Sequence, residues 1–542
     1  MPIGKEKRSL GESLLEGGLI TLEQLNEAQA ESKRTAQPLK KTILKKGFVA
    51  EDDMMVFLSK QLNIPHLDLE NYIIDPKIIE LIPEALARKH QLIPVLKIAN
   101  SLTCAMADPS DIFAIDEIRH KTGFDIEPAI AKESDINKAL DTHYGAKGSI
   151  EDIVNELDPS EFTSKGRNGL EAKRLQDISR EPPVIRLVNL LILNAVKDRA
   201  SDIHLEPEEE TLKVRYRIDG ILRDKTPPPK YLESALVSRI KVLADLDIAE
   251  RRVPQDGRFR IKAENHDIDI RVSIVPTMYG ENVVMRLLDT SSAITSLAEL
   301  GLSPEMKEKF EKLIRRPNGI ILVTGPTGSG KTTTLYAALS ILNSGDKNII
   351  TVEDPVEYHL EGIRQIPVNS KVGLNFANGL RSILRQDPNI IMVGEIRDLE
   401  TAQIAIHAAM TGHLVFSTLH TNDAPSAIAR LIDMGVEPFL VASSVIGVLA
   451  QRLVRRACKD CGGKGCKNCV NSGYRGRVGI FELMLPNEKI RELISKKASV
   501  DEIRKSAVTS GMKTLREDGD EKAKNNLTTT EEVLRAAQTE ED

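Results

Sequence analysis

Apolar residues in the C-terminal half of the chain come in short unbroken runs: GIILVTG (319–325), NIITVED (348–354), NIIMVGE (389–395) and HLVFSTLH (413–420). Each run is too short for a helix and does not alternate, which predicts strands buried on both faces. Helical spacing between them predicts a parallel sheet covered on both sides, so 296–542 reads as one α/β domain. Upstream the pattern changes. TLKVRYRIDGILRD (211–224) and HDIDIRVSIVPT (266–277) alternate apolar with polar, predicting strands with one wet face. Before them, Val184, Leu187, Val188, Leu191 and Ala195 share one helix face, so 181–295 reads as a mixed α/β domain. Residues 66–145 predict a small α+β domain. It has a strand pair turning at Ala99-Asn100 and a helix, IFAIDEIRHKT, stopped at Gly123. Residues 146–180 are polar and aperiodic, as in a linker. The longest apolar stretch, Pro438 to Ala450, is expected to be one buried helix, too short to span a bilayer.

An internal repeat opens the chain. Residues 9–32 recur as 38–61 at an offset of 29: Leu10 matches Leu39, Leu14 matches Ile43, Gly18 matches Gly47 and Leu25 matches Met54. Each copy predicts helix, glycine stop, acidic N-cap region, helix, so that 1–65 forms a small helical bundle.

A length of 542 residues suggests roughly three or four domains. The net charge of −6 excludes a uniformly basic nucleic-acid coat. The start, MPIGKEKRSLGESLL, holds no apolar run of signal-peptide length, so a cytoplasmic location is expected, with membrane docking only through a partner.

GPTGSGKTT (Gly325, Pro326, Thr327, Gly328, Ser329, Gly330, Lys331, Thr332, Thr333) lies between a predicted strand and a predicted helix, the context a phosphate-binding loop requires. The glycines let backbone N–H groups turn toward the phosphates of ATP, Lys331 reaches the β- and γ-phosphates, and the Thr332 hydroxyl faces Mg²⁺. A carboxylate is needed nearby, and Glu395 follows the strand IIMV and Gly394. There it can hold Mg²⁺ through water or polarise the attacking water. Two more polar clusters interrupt apolar strands at the expected catalytic edge: Glu353, Asp354 and Glu357 in one, His413 and His420 in the other. Arg215, Arg217, Arg271 and Arg286 lie on the alternating strands of the middle domain and are candidates to stabilise phosphoryl-transfer charge in trans.

Four of the five cysteines, Cys458, Cys461, Cys466 and Cys469, form two Cys-x-x-Cys knuckles within twelve residues. In a reducing compartment this points to a structural Zn²⁺ site closed to water. Arg455, Arg456, Lys459, Lys464, Lys467, Arg475 and Arg477 offset the charge of four thiolates. Cys104 reads as a small buried residue.

The order GPTGSGKTT, ITVEDPVEY, RQDPNIIMVGEIRD, TGHLVFSTLHTNDA resembles the secretion ATPase superfamily of type II secretion and type IV pilus assembly. These stretches correspond to its Walker A, aspartate box, Walker B with glutamate, and histidine box. ASDIHLEP, VRYRIDG, RVPQDGRFRI, RVSIVPTMYGENVVMRLLD and MGVEPFLVASSVIGVLAQRLVRR match as well, so the resemblance covers roughly 66–542. It implies a multidomain α/β chain with a RecA-like P-loop ATPase core carrying a zinc-binding insertion at 455–477, a PAS-like middle domain, and a homohexamer with sites between subunits. It further implies that Glu395 and Glu357 activate water and place Mg²⁺, that His420 senses the γ-phosphate, and that the four arginines contact phosphate. The implied partners are an inner-membrane platform protein and a cytoplasmic docking protein. The implied work is pseudopilus or pilus assembly, with type II secretion favoured over pilus extension. The cysteine spacer, GGKG, is shorter than in the family. The N-terminal repeat resembles a module (MshEN) that binds cyclic di-GMP in some members. Arg8, Leu10, Gly11 and Gln61 match it, whereas Ser32 and Lys40 depart from it, so protein docking is expected there ahead of nucleotide binding. A nucleic-acid motor is the rival reading. Eight Lys or Arg against one Asp in 451–477 favour it, but the acidic chain, without Trp and poor in aromatics, argues that no nucleic acid is bound.

Overall fold

The structure is a computed structural model. It describes residues 10–35, 39–69, 72–144, 181–263, 266–289 and 296–537, together with 153–154, 177 and 179. The chain divides into two compact units at residue 291.

In the first unit, each copy of the repeat forms two helices: Leu10–Glu16 with Leu22–Thr35, and Leu39–Lys45 with Glu51–Leu62. Gly18 and Gly47 both sit at φ 70°, a left-handed stop that a side chain would oppose. Leu14, Leu25, Ile43 and Met54 are all buried together, so the matched positions of the two copies make one core. Arg8 lies outside the described residues. Lys40, where the resembled module has glycine, donates to the Ala107 carbonyl at 2.8 Å and so ties the bundle to the next module.

That module holds β1 (Tyr72–Ile73), β2 (Leu92–Ile98), β3 (Ser101–Met106) and β4 (Asp125–Ile130). β2 and β3 form the expected hairpin, with Ala99 at φ 50° in its turn, and β3 pairs in parallel with β4. The helix between them, Ile112–Thr122, is capped by Asp111 and stopped by Gly123, as its spacing predicts. Cys104 is fully buried, and burial pushes its thiol up to about 12.

The middle sheet contains β5 (Ala200–Pro207), β6 (Leu212–Ile218), β7 (Ile221–Lys225), β8 (Gln255–Ala263), β9 (His266–Thr277) and β10 (Gly280–Asp289). The order is β1-β8-β9-β10-β5-β6-β7. β1 thus crosses the boundary that composition suggested and pairs in parallel with β8, Tyr72 against Lys262. One face packs on helices Pro182–Lys197 and Glu233–Leu243, and all five residues of the predicted helix face are buried. The opposite face is polar. The expected linker, 146–180, falls outside the described residues except at four positions, among which Ile153 is buried in the middle core.

The second unit contains β11 (Gly319–Thr324), β12 (Ile349–Glu353), β13 (Arg364–Pro367), β14 (Ile390–Val393), β15 (Leu414–Leu419), β16 (Val445–Ala457) and β17 (Tyr474–Met484). The order is β13-β12-β14-β15-β11-β16-β17, parallel except for the antiparallel β16–β17 hairpin. Two apolar clusters cover its two faces, which accounts for the unbroken runs. The single helix expected over Pro438–Ala450 is not what forms. The helix Pro438–Ser444 ends and β16 begins at Val445. Val445, Ile446 and Val448 are β-branched, and pairing with β11 from Ile320 to Thr324 outweighs the apolar continuity. Among the described residues no helix is long and apolar enough to cross a membrane.

Candidate nucleotide and metal sites

The phosphate loop joins β11 to the helix Lys331–Leu342. Gly325, Gly328 and Gly330 adopt φ of 148°, 78° and 87°. A Cβ at Gly325 would meet the Gln451 carbonyl at 2.4 Å, so the loop cannot take this path with a side chain there. The Lys331 ammonium lies against the Gly325 and Pro326 carbonyls at 2.8 and 3.1 Å. Burial pushes it down to about 8, while Glu395 pulls it up and Arg452 down. Gln451, on β16, donates to the Ser329 carbonyl at 2.8 Å and accepts from the Thr334 hydroxyl at 2.7 Å. It pins the C-terminal part of the loop to the first turn of the helix that follows. Sequence reading passed over it, although a glutamine within the apolar run IGVLAQRL of β16 is a signal of a buried polar partner.

β14 ends at Val393, and Gly394 delivers Glu395 to the same sheet edge. The Thr418 hydroxyl donates to the Gly394 carbonyl at 2.7 Å, locking that turn to β15. Glu395 Oε2 lies 3.2 Å from His420 Nε2, and Arg397 pairs with its other oxygen. Arg397 also lies 4.0 Å from Asp354. The Thr324 hydroxyl, at the end of β11, is 2.7 Å from that of Thr421 and accepts the Thr421 N–H at 2.9 Å. Walker B, histidine box and phosphate-loop strand therefore converge within hydrogen-bond reach. His413 does not join them. It precedes β15, and Gly319 at the start of β11 donates to its carbonyl at 3.1 Å, so it occupies the opposite sheet edge. Six residues of extended strand, about 3.3 Å each, separate the two ends.

The aspartate box begins where β12 stops. Glu353 is buried and accepts from Tyr336, from the Thr351 hydroxyl at 2.5 Å and from the Gln365 amide at 3.1 Å. The Glu357 N–H donates to the Tyr336 hydroxyl at 3.4 Å.

The four predicted arginines share the polar face of the middle sheet. Arg215 pairs with Glu206 at 2.6 Å, and Arg217 and Arg286 flank Asp202 at 3.5 and 3.1 Å. Strand register sets Arg271 beside Arg286 and, on its other side, beside Arg258. Arg258 was not singled out from sequence, though the alternation in QDGRFRI carries it. Three arginines thus stand abreast on the polar face, Arg286 among them paired with Asp202, and such a row would draw an anion.

The four cysteines close the β16–β17 hairpin, with Cys458 donating its N–H to the Gly473 carbonyl at 2.9 Å. All four sulfurs lie within 4.8 Å of one another, and three Sγ–Sγ distances are 3.9, 3.8 and 3.7 Å. A tetrahedral site with Zn–S bonds of about 2.3 Å requires about 3.8 Å. The thiol set fits zinc despite the short GGKG spacer, in which Gly462, Gly463 and Gly465 take positive φ and reverse the chain. Arg455 anchors the hairpin through Glu532 at 2.7 Å and stacks 4.0 Å over Tyr474.

Two family descriptions match the chain: Type II/IV secretion system protein over 177–535, and MshEN domain over 62–150. The second covers the three-stranded module, whereas the repeat that suggested it lies in 1–65. The type IV pilus assembly ATPase PilB of Myxococcus xanthus is 45% identical over 97% of this chain and 98% of its own. The type II secretion system protein HxcR of Pseudomonas aeruginosa is 51% identical over 78% of this chain and 92% of its own. Among solved structures, the ATPase DotB of Legionella pneumophila superposes with a TM-score of 0.52 at 21% identity, covering 64% of this chain and 93% of that one, a likeness of fold. With its phosphate loop, acidic strand end and histidine box at one sheet edge, the chain belongs to the type II/IV secretion family of ATP-hydrolysing motors.

Proposed function

We propose that the chain works as a homohexamer that turns ATP hydrolysis into motion of the middle domain, and so drives assembly of pilin-like subunits through an inner-membrane platform protein. The observation that carries the reading is the Glu395–His420 contact at 3.2 Å beside the phosphate loop. It gives the acidic strand end a partner that can respond to the γ-phosphate. Bound ATP and Mg²⁺ supply the anhydride bond and its counter-charge. Lys331 and Thr332 hold the phosphates and the metal. Glu395 and Glu357 place Mg²⁺ and take the proton of the attacking water, and the arginine row of another copy steadies the phosphate charge. The cysteine hairpin holds Zn²⁺ as a structural brace. The N-terminal bundle docks a cytoplasmic partner protein, with cyclic di-GMP as the alternative ligand, and the protein works at the inner membrane through such partners.

The sequence favoured type II secretion. Pilus extension gains support from the end-to-end match to the pilus assembly ATPase. In cells, Lys331→Ala decides between them by abolishing either surface fibres or enzyme export. For the activity itself, Glu395→Gln in the purified hexamer is expected to lose at least about 10²-fold in turnover while still binding ATP. Unchanged turnover would remove Glu395 from the reaction, and a monomeric wild type without turnover would overturn the motor reading.

A further inference from the structure

We propose that Tyr336 is a positioning residue for hydrolysis, holding the loop that carries Glu357 in register with the helix that carries Lys331 and Thr332. The proposal rests on the role given to Glu357 above. Tyr336 is fully buried on the phosphate-loop helix. It follows Thr332 by four residues, so the two share a helix face one turn apart. Its hydroxyl meets three partners, on β12, on β13 and in the loop between them. It donates to Glu353 at the end of β12, and it accepts from the Gln365 amide on β13 at 3.2 Å and from the Glu357 N–H at 3.4 Å. Burial beside Glu353 raises the phenol and keeps it protonated, which fixes this donor–acceptor arrangement.

Gln365 extends the network along the loop. Its amide also reaches the Tyr358 carbonyl at 3.1 Å, and its carbonyl accepts the Leu360 N–H at 2.8 Å. The Tyr336 and Tyr358 rings meet edge to face at 4.6 Å. A tyrosine serving only as core filling would need none of these bonds, since phenylalanine fills the same volume. The hydroxyl instead joins the helix that bears the Mg²⁺-facing threonine to the backbone of the catalytic carboxylate itself. An ångström-scale slip of that loop would cost up to about 10²-fold in turnover without changing how the triphosphate seats.

The test uses the full-length hexamer and four variants: Tyr336→Phe, Gln365→Leu, Glu357→Gln and the double variant Tyr336→Phe/Glu357→Gln. Single-turnover rates, KM for ATP, the Mg²⁺ concentration for half-maximal rate, and melting temperature are measured. Tyr336→Phe is expected to lower turnover about tenfold or more, to leave KM for ATP within about twofold, and to raise the Mg²⁺ requirement. Gln365→Leu should act in the same direction, and it carries the test if Tyr336→Phe does not fold. In the Glu357→Gln background, Tyr336→Phe should cost little more, because both changes strike one unit. Turnover within twofold of wild type in folded Tyr336→Phe or Gln365→Leu, or a full additive loss in the double variant, overturns the proposal. Retained turnover in Glu357→Gln alone overturns the reading beneath it, a different outcome and separately visible.

Discussion

The middle sheet and the ATPase sheet each have seven strands, yet they put their chemistry in different places. In the ATPase sheet both faces are closed by apolar clusters, and the functional candidates stand at the strand ends: Thr324, Glu353, Glu395 and His420. In the middle sheet only one face is closed, and the functional candidates stand across the open one, strand beside strand. A sheet sealed on both sides can present side chains only where its strands stop, whereas a half-open sheet can use its whole surface. The two should therefore tolerate mutation in opposite ways.

The largest contrast is between a face position in each sheet. Leu322 is wholly buried in the middle of β11, and Leu322→Ala should cost about 2–5 kcal/mol in stability by leaving a cavity. Arg271→Ala truncates a part-exposed side chain on the open face, so its stability should move by less than about 1 kcal/mol while turnover of the hexamer falls about tenfold or more. Chemical denaturation and ATPase rate on the same two proteins check both halves. A large loss of stability in Arg271→Ala would mean that the open face is structural and would dissolve the contrast.

The same difference explains what could be read from the sequence. Strand-end sites were legible because they break an apolar run at a fixed place. Gly325, Lys331 and Glu395 announce themselves by spacing, and the cysteine knuckles do so by ligand chemistry. The arginine row was only half legible. Alternation put Arg215, Arg217, Arg271 and Arg286 on wet faces, but only register brings Arg258, Arg271 and Arg286 abreast. Register also separated His413 from His420, since a strand has two ends and composition does not say which is which. The run from Pro438 to Ala450 misled for a related reason. Apolar continuity signals burial, and the change from helix to strand at Val445 is set by a vacancy beside β11 that no local pattern records. The Tyr336 network was invisible because its members lie 17 to 29 residues from Tyr336 and meet it only after the helix packs on β12.

A smaller effect sharpens the comparison at the sheet's outer hairpin. Cys461→Ser, or a strong chelator, should release zinc and lower the melting temperature by roughly 5 °C, because the knuckles close the β16–β17 hairpin that edges the ATPase sheet. Zinc content by elemental analysis and thermal melting check it. One bound zinc per chain in the wild type and none in the variant is the expected result.

The smallest effect concerns Glu482, a carboxylate on β17 within the sealed sheet. Burial pushes it up to about 7; N–H groups of Ala424 and Leu515 pull against that, Asp423 adds to it, and Arg504 opposes it. The unfolded chain would titrate it near the model-peptide value of about 4.3. Between those values the folded protein holds more protons than the unfolded one, so stability falls as pH rises. The contribution is complete below the unfolded value and is lost as pH climbs to 7, by roughly 3–4 kcal/mol at 1.36 kcal/mol per unit. Glu482→Gln keeps the shape and an oxygen for the Ala424 N–H but cannot ionise. Relative to wild type it should gain stability from pH 5 to pH 8, read from denaturant midpoints at the two values. A parallel pH dependence in the two proteins would show that Glu482 ionises as freely as a group on the open sheet, and the sealed face would then admit water where its polar residues stand.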